Sequence, residues 1–235
     1  MSATDPAVAG RSNGARLSRL GRKLWRALSG KKNRGLPFTG SGDYWEQRYA
    51  QGGNSGIGSY VKFAEFKAEV LNRFVSEHDV ASVIEFGCGD GNQLKLAHYP
   101  RYAGFDVSKT VIAQCRQMFA GDNSKSFALM DEYNDQQAQL SLSLDVIYHL
   151  VEDEIYDQYM RTLFKAAQRY VIVFASNTDD NSDAQGTHVR HRKFTDWVDA
   201  NTQHWSLIEH IPNRYPYEGD YRSGSFADFY IYQRG

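Results

Sequence analysis

The stretch Val83-Ile84-Glu85-Phe86-Gly87-Cys88-Gly89-Asp90-Gly91-Asn92 decides the reading of this 235-residue chain. A β-branched entry predicts a strand over residues 82–86. Three glycines at alternate positions follow, allowing a tight turn and a close backbone approach to a ligand. A helix is expected to open over 92–98. The spacing is GxGxG, because Asn92 stands where the GxGxxG of a dinucleotide-binding turn needs its third glycine. The next strand, 102–106, ends on Asp106. A carboxylate at that place can accept two hydrogen bonds from ribose hydroxyls.

Outward from this turn, strand and helix signals alternate. Phe63, Phe66, Val70 and Phe74 recur at helical spacing within 60–78, and helices are also expected at 109–120, 152–168 and 194–201. Further strands are expected at 126–130, 140–144, 170–175, 206–211 and 226–233. The alternation implies an α/β fold with a doubly wound, mostly parallel seven-stranded sheet. No helix separates the last two strands, so the final strand should run antiparallel. No internal repeat is visible.

The VIEFGCGDGN stretch resembles the class I S-adenosylmethionine-dependent methyltransferases of the bacterial small-molecule type, over about residues 40–235. By that resemblance the cofactor is S-adenosyl-L-methionine and the fold is Rossmann-like. Gly87, Cys88, Gly89 and Gly91 would form the loop beneath its methionyl and ribose groups. Glu85 would order that loop, and Asp106 would hold the ribose. Phe105, Val107 and Met130 would line the adenine slot, with Asp131 facing the adenine amino group. Asp145, after the fourth strand, matches the acidic position beside the methionyl amine and the acceptor. The glycine-rich segment 52–59, with Tyr44, Trp45, Arg48 and Tyr49, looks like the lid of several small-molecule methyltransferases. It also nearly spells a phosphate-binding loop, but lacks the lysine and a preceding strand.

Methyl transfer to a hydroxyl requires alignment and removal of a proton. His149, four residues after Asp145, can reach the same mouth, and neutral histidine is the natural base near pH 7. A structural role, bonded to a backbone carbonyl, is the competing reading. His188 is a second base candidate, and Arg190 can hold an anionic group through a bidentate contact. Tyr44, Tyr49, Tyr148 and Tyr217 complete the expected acceptor contacts. His188 and His191 with Asp180 and Asp183 match no zinc spacing, so no metal site is expected.

Composition divides the chain. Residues 1–40 carry nine basic residues and one acid, a charge of +8, whereas the rest carries −9. The acidic body argues against broad nucleic-acid binding. In ARLSRLGRKLWRAL (15–28), leucines fall on one helical arc and five cations on another, with Trp25 between them. That suits docking on its own domain or attachment to an anionic membrane. Residues 1–42 thus read as a basic extension with an amphipathic helix and linker, and 43–235 as the cofactor-binding domain. No apolar run reaches the ~20 residues that span a bilayer. Two cysteines, Cys88 and Cys115, exclude a disulfide framework and fit a reducing compartment. The expected location is cytoplasmic, with peripheral membrane contact through 15–28.

The leading expectation is O-methylation of a small molecule or glycan precursor with a histidine base. RNA or protein methylation using the basic tail is an alternative, although no NPPY-type motif follows the fourth strand. A catalytically inactive cofactor-binding module is another.

Overall fold

The computed structural model describes residues 38–182 and 186–235. The expected amphipathic helix at 15–28 lies outside them. Helix α1 (Ser41–Ala50) leads through a glycine-rich loop to α2 (Val61–Glu77). Then come β1 (Val83–Phe86), β2 (Tyr102–Asp106), α3 (Lys109–Met118), β3 (Lys125–Leu129) and β4 (Ala138–Leu144). Helix α4 (Asp153–Lys165), β5 (Ala167–Ala175), α5 (Phe194–Asn201), β6 (Trp205–Ile211) and β7 (Asp228–Arg234) complete the chain. Helix α1 starts at Ser41, within the segment expected to be linker. Its entry is tied down by Ser41, whose Oγ donates to Glu152 Oε2 at 2.6 Å.

The sheet order is β3-β2-β1-β4-β5-β7-β6, parallel except for β7, which runs antiparallel to both β5 and β6. The doubly wound, seven-stranded expectation is therefore met. All four residues of β1 are buried, as a central strand covered on both faces requires. Two apolar layers flank the sheet. On one face Phe66, Leu71 and Phe74 of α2 and Ile112 of α3 meet Leu140, Leu142 and Ile172. On the other, Met160 and Leu163 of α4 and Phe194 and Val198 of α5 meet Ile84, Val171 and Val173. Alternate residues of β5 thus serve opposite layers, as a period of two demands.

The helix expected over 92–98 is a short 3-10 turn, Gln93–Leu96. Asn72 of α2 explains the stop. Its Nδ2 donates to Leu96 O, and its Oδ1 accepts from His98 N, so the side chain takes the backbone groups a longer helix would pair. Pro100 then disfavours helix at Tyr99. Strand β3 ends at Leu129, one residue early, which places Met130 and Asp131 in a 3-10 turn.

The chain runs outward from β1 through β2 to β3, then returns to lay β4 on the other side of β1. The strand order reverses there, and the carboxyl ends of β1 and β4 flank a crevice. This is where doubly wound sheets bind ligands.

Candidate active site

Beyond β1 the chain turns at once: Gly87 N and Cys88 N both donate to Phe105 O, at 2.7 and 3.0 Å. Gly87 and Gly89 sit at φ 83° and 56°. A Cβ on Gly87 would lie 2.5 Å from Val146 Cγ2, and one on Gly89 2.4 Å from Ser55 Oγ. Both positions therefore need glycine for conformation and for space. Asp106 fastens the turn to β2: its carboxylate accepts from Gly89 N and Ser108 N, each at 3.0 Å. Burial nonetheless pushes its pKa up to about 6. Glu85 accepts from Tyr102 OH at 2.6 Å, and burial raises it to about 7.

The glycine-rich loop between α1 and α2 lies over this turn. Ser55 N donates to Asp90 Oδ2 while Asp90 N donates to Ser55 Oγ, both at 2.9 Å. Tyr60 OH also donates to Asp90, at 2.7 Å. Asn92 Nδ2 donates to Ser59 O at 2.7 Å, and Arg48 Nε to Asn54 O at 2.7 Å. The cover is thus hydrogen-bonded to the turn beneath it.

Between cover and turn lies a cavity of about 380 Å³. Its floor includes Gly87, Cys88 and Gly89; Val107, Met130 and Ile155 are apolar lining residues; Asp131 is an exposed one. Gln93 lines it too. Its Nε2 donates to Ala64 O, but its Oε1 is buried with no partner.

Past β4, Asp145 adopts φ 60°, a conformation that Asp tolerates better than most residues. Lys67 Nζ donates to its Oδ2 at 2.6 Å, and Tyr148 OH to its Oδ1 at 2.8 Å. Lys67 is 1% exposed and packs over the Phe174 ring at 5.3 Å. Asp145 therefore reaches the cavity as an anchored, charge-balanced group. His149 lies on the following 3-10 turn, edge-on to Trp45 at 4.9 Å. Its Nδ1 is 3.0 Å from His188 O. A carbonyl can only accept, so Nδ1 carries the hydrogen and Nε2 keeps its lone pair. Burial pushes the ring's pKa down to about 4, so it is neutral at pH 7.

A second cavity, about 390 Å³, adjoins the first. Trp45, Ser55, Asp145 and His149 line both. Tyr44, Tyr148 and His188 line the second alone, and Tyr49 the first alone. Tyr44 stacks on His188 at 4.4 Å, and Tyr49 OH pairs with Ser55 Oγ at 2.9 Å. Of the cofactor candidates, Glu85, Gly87, Cys88, Gly89, Asp106, Val107 and Asp131 line the first cavity. Gly91 (φ 72°) does not; it packs under the turn against Phe119 and Cys115.

Two expected acceptor contacts fall elsewhere. Arg190 lines neither cavity: its Nη1 donates to Val151 O at 3.0 Å and meets Asp153 at 2.9 Å. With Arg192, which donates to Leu150 O and Val151 O, it holds the segment leading into α4. Tyr217 packs on Phe226 at 3.9 Å, and it is Tyr221 of the same loop that lines the second cavity. Among the described residues, no group of three or more His, Cys, Asp or Glu is placed to hold a metal.

Lys67 and Gln93 escaped the sequence reading. The signal for Lys67 is present: it lies four residues after Phe63 and four before Leu71, on the buried stripe of α2. A lysine on such a stripe must find a buried anion. Gln93 carries no comparable mark.

No family model matches the chain, and no curated protein matches it. Solved structures do. The structure is similar to that of magnesium protoporphyrin IX methyltransferase from Synechocystis PCC 6803 with bound S-adenosylhomocysteine. There the identity is 16%, the TM-score 0.58, and the match covers 92% of this chain and 95% of that one. It is also similar to the N-methyltransferase NodS from Bradyrhizobium japonicum WM9 in complex with S-adenosyl-L-homocysteine, at 17% identity and TM-score 0.57, over 91% and 97% of the two chains. The methyltransferase domain of bacterial CtHen1 matches at 18% identity and TM-score 0.55, covering 77% of this chain and all of that domain. With the strand order and the antiparallel β7, these likenesses give the chain the Rossmann-like fold of the class I S-adenosylmethionine-dependent methyltransferases.

Proposed function

We propose that the protein is an S-adenosylmethionine-dependent methyltransferase acting on a hydroxyl oxygen of a small molecule, with His149 as the base. One observation carries this reading. At the wall shared by the two cavities, His149 has its Nδ1 hydrogen committed to a carbonyl and its Nε2 lone pair uncommitted.

The first cavity suits the cofactor. The unpartnered Gln93 Oε1 and the Glu85 carboxylate are acceptors for an ammonium group, and Lys67 can face a carboxylate. Asp106 retains lone pairs for ribose hydroxyls, while Val107 and Met130 offer an apolar edge to a base. When bound, the cofactor supplies an electrophilic methyl group on a sulfonium sulfur. His149 Nε2 would take the proton of an acceptor hydroxyl as its oxygen accepted that methyl group and the C–S electron pair stayed on sulfur. Asp145, held by Lys67 and Tyr148, keeps a fixed negative group beside the reacting centre. The cover over the glycine turn would limit the access of water.

The test is incubation with isotopically labelled S-adenosylmethionine and a panel of hydroxylated acceptors, read by mass spectrometry. Methylated product formed by wild type and lost in His149→Gln supports the reading; product formed equally by both contradicts the assigned base. The basic segment 15–28 we read as a peripheral attachment to anionic membranes. Co-sedimentation with phosphatidylserine vesicles, lost on deleting residues 1–40, would support this. No described helix is long and apolar enough to cross a membrane.

A further inference from the structure

The second cavity differs from the first in a way that bears on what enters it. Among the described residues, Asp145 is its only acidic lining residue, and Lys67 already balances that charge. Arg48, the one Lys or Arg among the described residues of its lining, forms no ion pair among the described residues. The Arg48 Nε is used on Asn54 O, and the guanidinium lies 5.5 Å from the Trp45 ring centre, leaving its terminal nitrogens as donors. A positive charge without a partner, set in a cavity wall, favours an anionic occupant.

Flat rings surround it. Tyr44, His188 and His149 form a near-parallel series, with centroid spacings of 4.4 and 5.6 Å and interplanar angles of 16° and 7°. His191, which also lines the cavity, is 4% exposed. Its Nδ1 is paired with Ser176 Oγ at 2.6 Å, while its Nε2 is buried without a partner. An orphaned buried nitrogen points to a polar atom still to arrive.

A sugar would need many more partners than this. Three of the five lining hydroxyls are engaged inside the protein, and the other two, on Tyr44 and Tyr221, belong to aromatic rings. Tyr148 gives its hydrogen to Asp145, Ser55 serves Tyr49 and Asp90, and Ser225 accepts from Ala227 N.

We propose that the second cavity takes a planar aromatic acid carrying a phenolic hydroxyl, with its carboxylate on Arg48 and its ring among Tyr44, Trp45 and His188. This rests on the methyltransferase reading and narrows its acceptor. The chemistry agrees. A phenol, at a pKa of about 10, gives up its proton far more readily than an aliphatic alcohol, which is closer to water at about 15.7. A base as weak as His149 needs the more acidic partner.

The experiment is isothermal titration calorimetry of the full chain saturated with S-adenosylhomocysteine. The probes are hydroxybenzoates and hydroxycinnamates of every ring isomer, their uncharged amides, and methyl glucoside. At least one acid should bind roughly tenfold or more tighter than its amide, the size of a charged hydrogen-bonded contact. Arg48→Gln should reduce that preference to within about twofold, and Arg48→Lys should keep part of it, with S-adenosylhomocysteine binding reporting that each variant is folded. If wild type binds S-adenosylhomocysteine but no acid, binds amides equally well, or prefers the glucoside, the inference is overturned while the methyltransferase reading stands. If wild type does not bind S-adenosylhomocysteine at all, both fall.

Discussion

The two adjoining cavities are built on different plans. The first takes four of its five carboxylates from the ends of three strands neighbouring in sequence: Glu85 and Asp90 at β1, Asp106 at β2, and Asp131 past β3. It is rich in carboxylates. The second is assembled from α1, the cover, the turn after β4, and the segments 188–191 and 221–227. It is aromatic, with one balanced acid and one unpaired arginine. They meet at Asp145 and His149. A site shaped by strand ends is set by the sheet itself, whereas a site shaped by connecting segments can change its chemistry without disturbing the sheet. One wall is therefore suited to a fixed cofactor and the other to a particular acceptor.

If the cavities divide the work in this way, changes at the shared wall should strike hardest. His149→Gln should lower turnover by roughly 10²–10⁴, the usual value of a positioned base, while S-adenosylhomocysteine affinity changes far less. Because burial holds His149 near pKa 4, below its ordinary value, its neutral form is favoured by folding. Its contribution to stability is present above about pH 6.5 and is lost as pH falls through 4. The wild-type rate should accordingly show no limb from this group near pH 6.5; a histidine limb there, absent from His149→Gln, would leave His149 as the base but contradict its lowered pKa.

Next in size is the anchor beneath the wall. Lys67→Met leaves the Asp145 carboxylate without its cation, which should cost about 3–5 kcal/mol. Melting should drop by on the order of 10 °C in calorimetry. A drop of only a degree or two would mean that Tyr148 and solvent suffice to hold Asp145.

On the cofactor side alone, Asp106→Asn should weaken S-adenosylhomocysteine by roughly 10–100-fold, with little change in any acceptor's preference. Asp106 is raised to about 6 by burial, so folding favours its protonated form. Any stability from that protonation is complete below about pH 3.9 and lost as pH rises through 6. Cofactor hydroxyls favour the ionised form, so affinity should climb through pH 6 and level off above it. Asp106→Asn should remove that step in a calorimetric pH series. The smallest effect belongs to Tyr217→Ala, which lies outside both cavities and packs behind Phe226, a lining residue of the second; stability should fall by about 1 kcal/mol and acceptor affinity by less than twofold. A tenfold loss would place Tyr217 in the acceptor wall after all.

The same contrast explains what could be read from the residues. Gly87, Gly89, Asp106, Asp131 and Asp145 all lie at or just past strand ends, and strand ends are marked by a change from apolar runs to glycine or acid. The doubly wound sheet was legible from the alternation of strands and helices, and the antiparallel β7 from the absence of a helix before it. The acceptor wall was legible only in pieces. Arg190 carries the right charge for an anion, but whether it faces a cavity or the carbonyl of Val151 is decided by the path of a loop. Arg48, one turn along α1 from Tyr44, has no local mark that separates it from a solvated cation. The helix missing at 92–98 depended on Asn72, a side chain from another element.

The most direct test of the account is thermal unfolding of the protein with S-adenosylmethionine, S-adenosylhomocysteine, NAD and ATP in parallel, for wild type and Asp106→Asn. At 100 times its dissociation constant a ligand adds about 2.7 kcal/mol, a rise of roughly 5–10 °C for a chain of this size. The account predicts that rise with the two sulfur nucleosides alone, and a clearly smaller one in the variant. No rise with either in wild type that carries no bound nucleoside by mass spectrometry, or an equal rise with NAD, would contradict it.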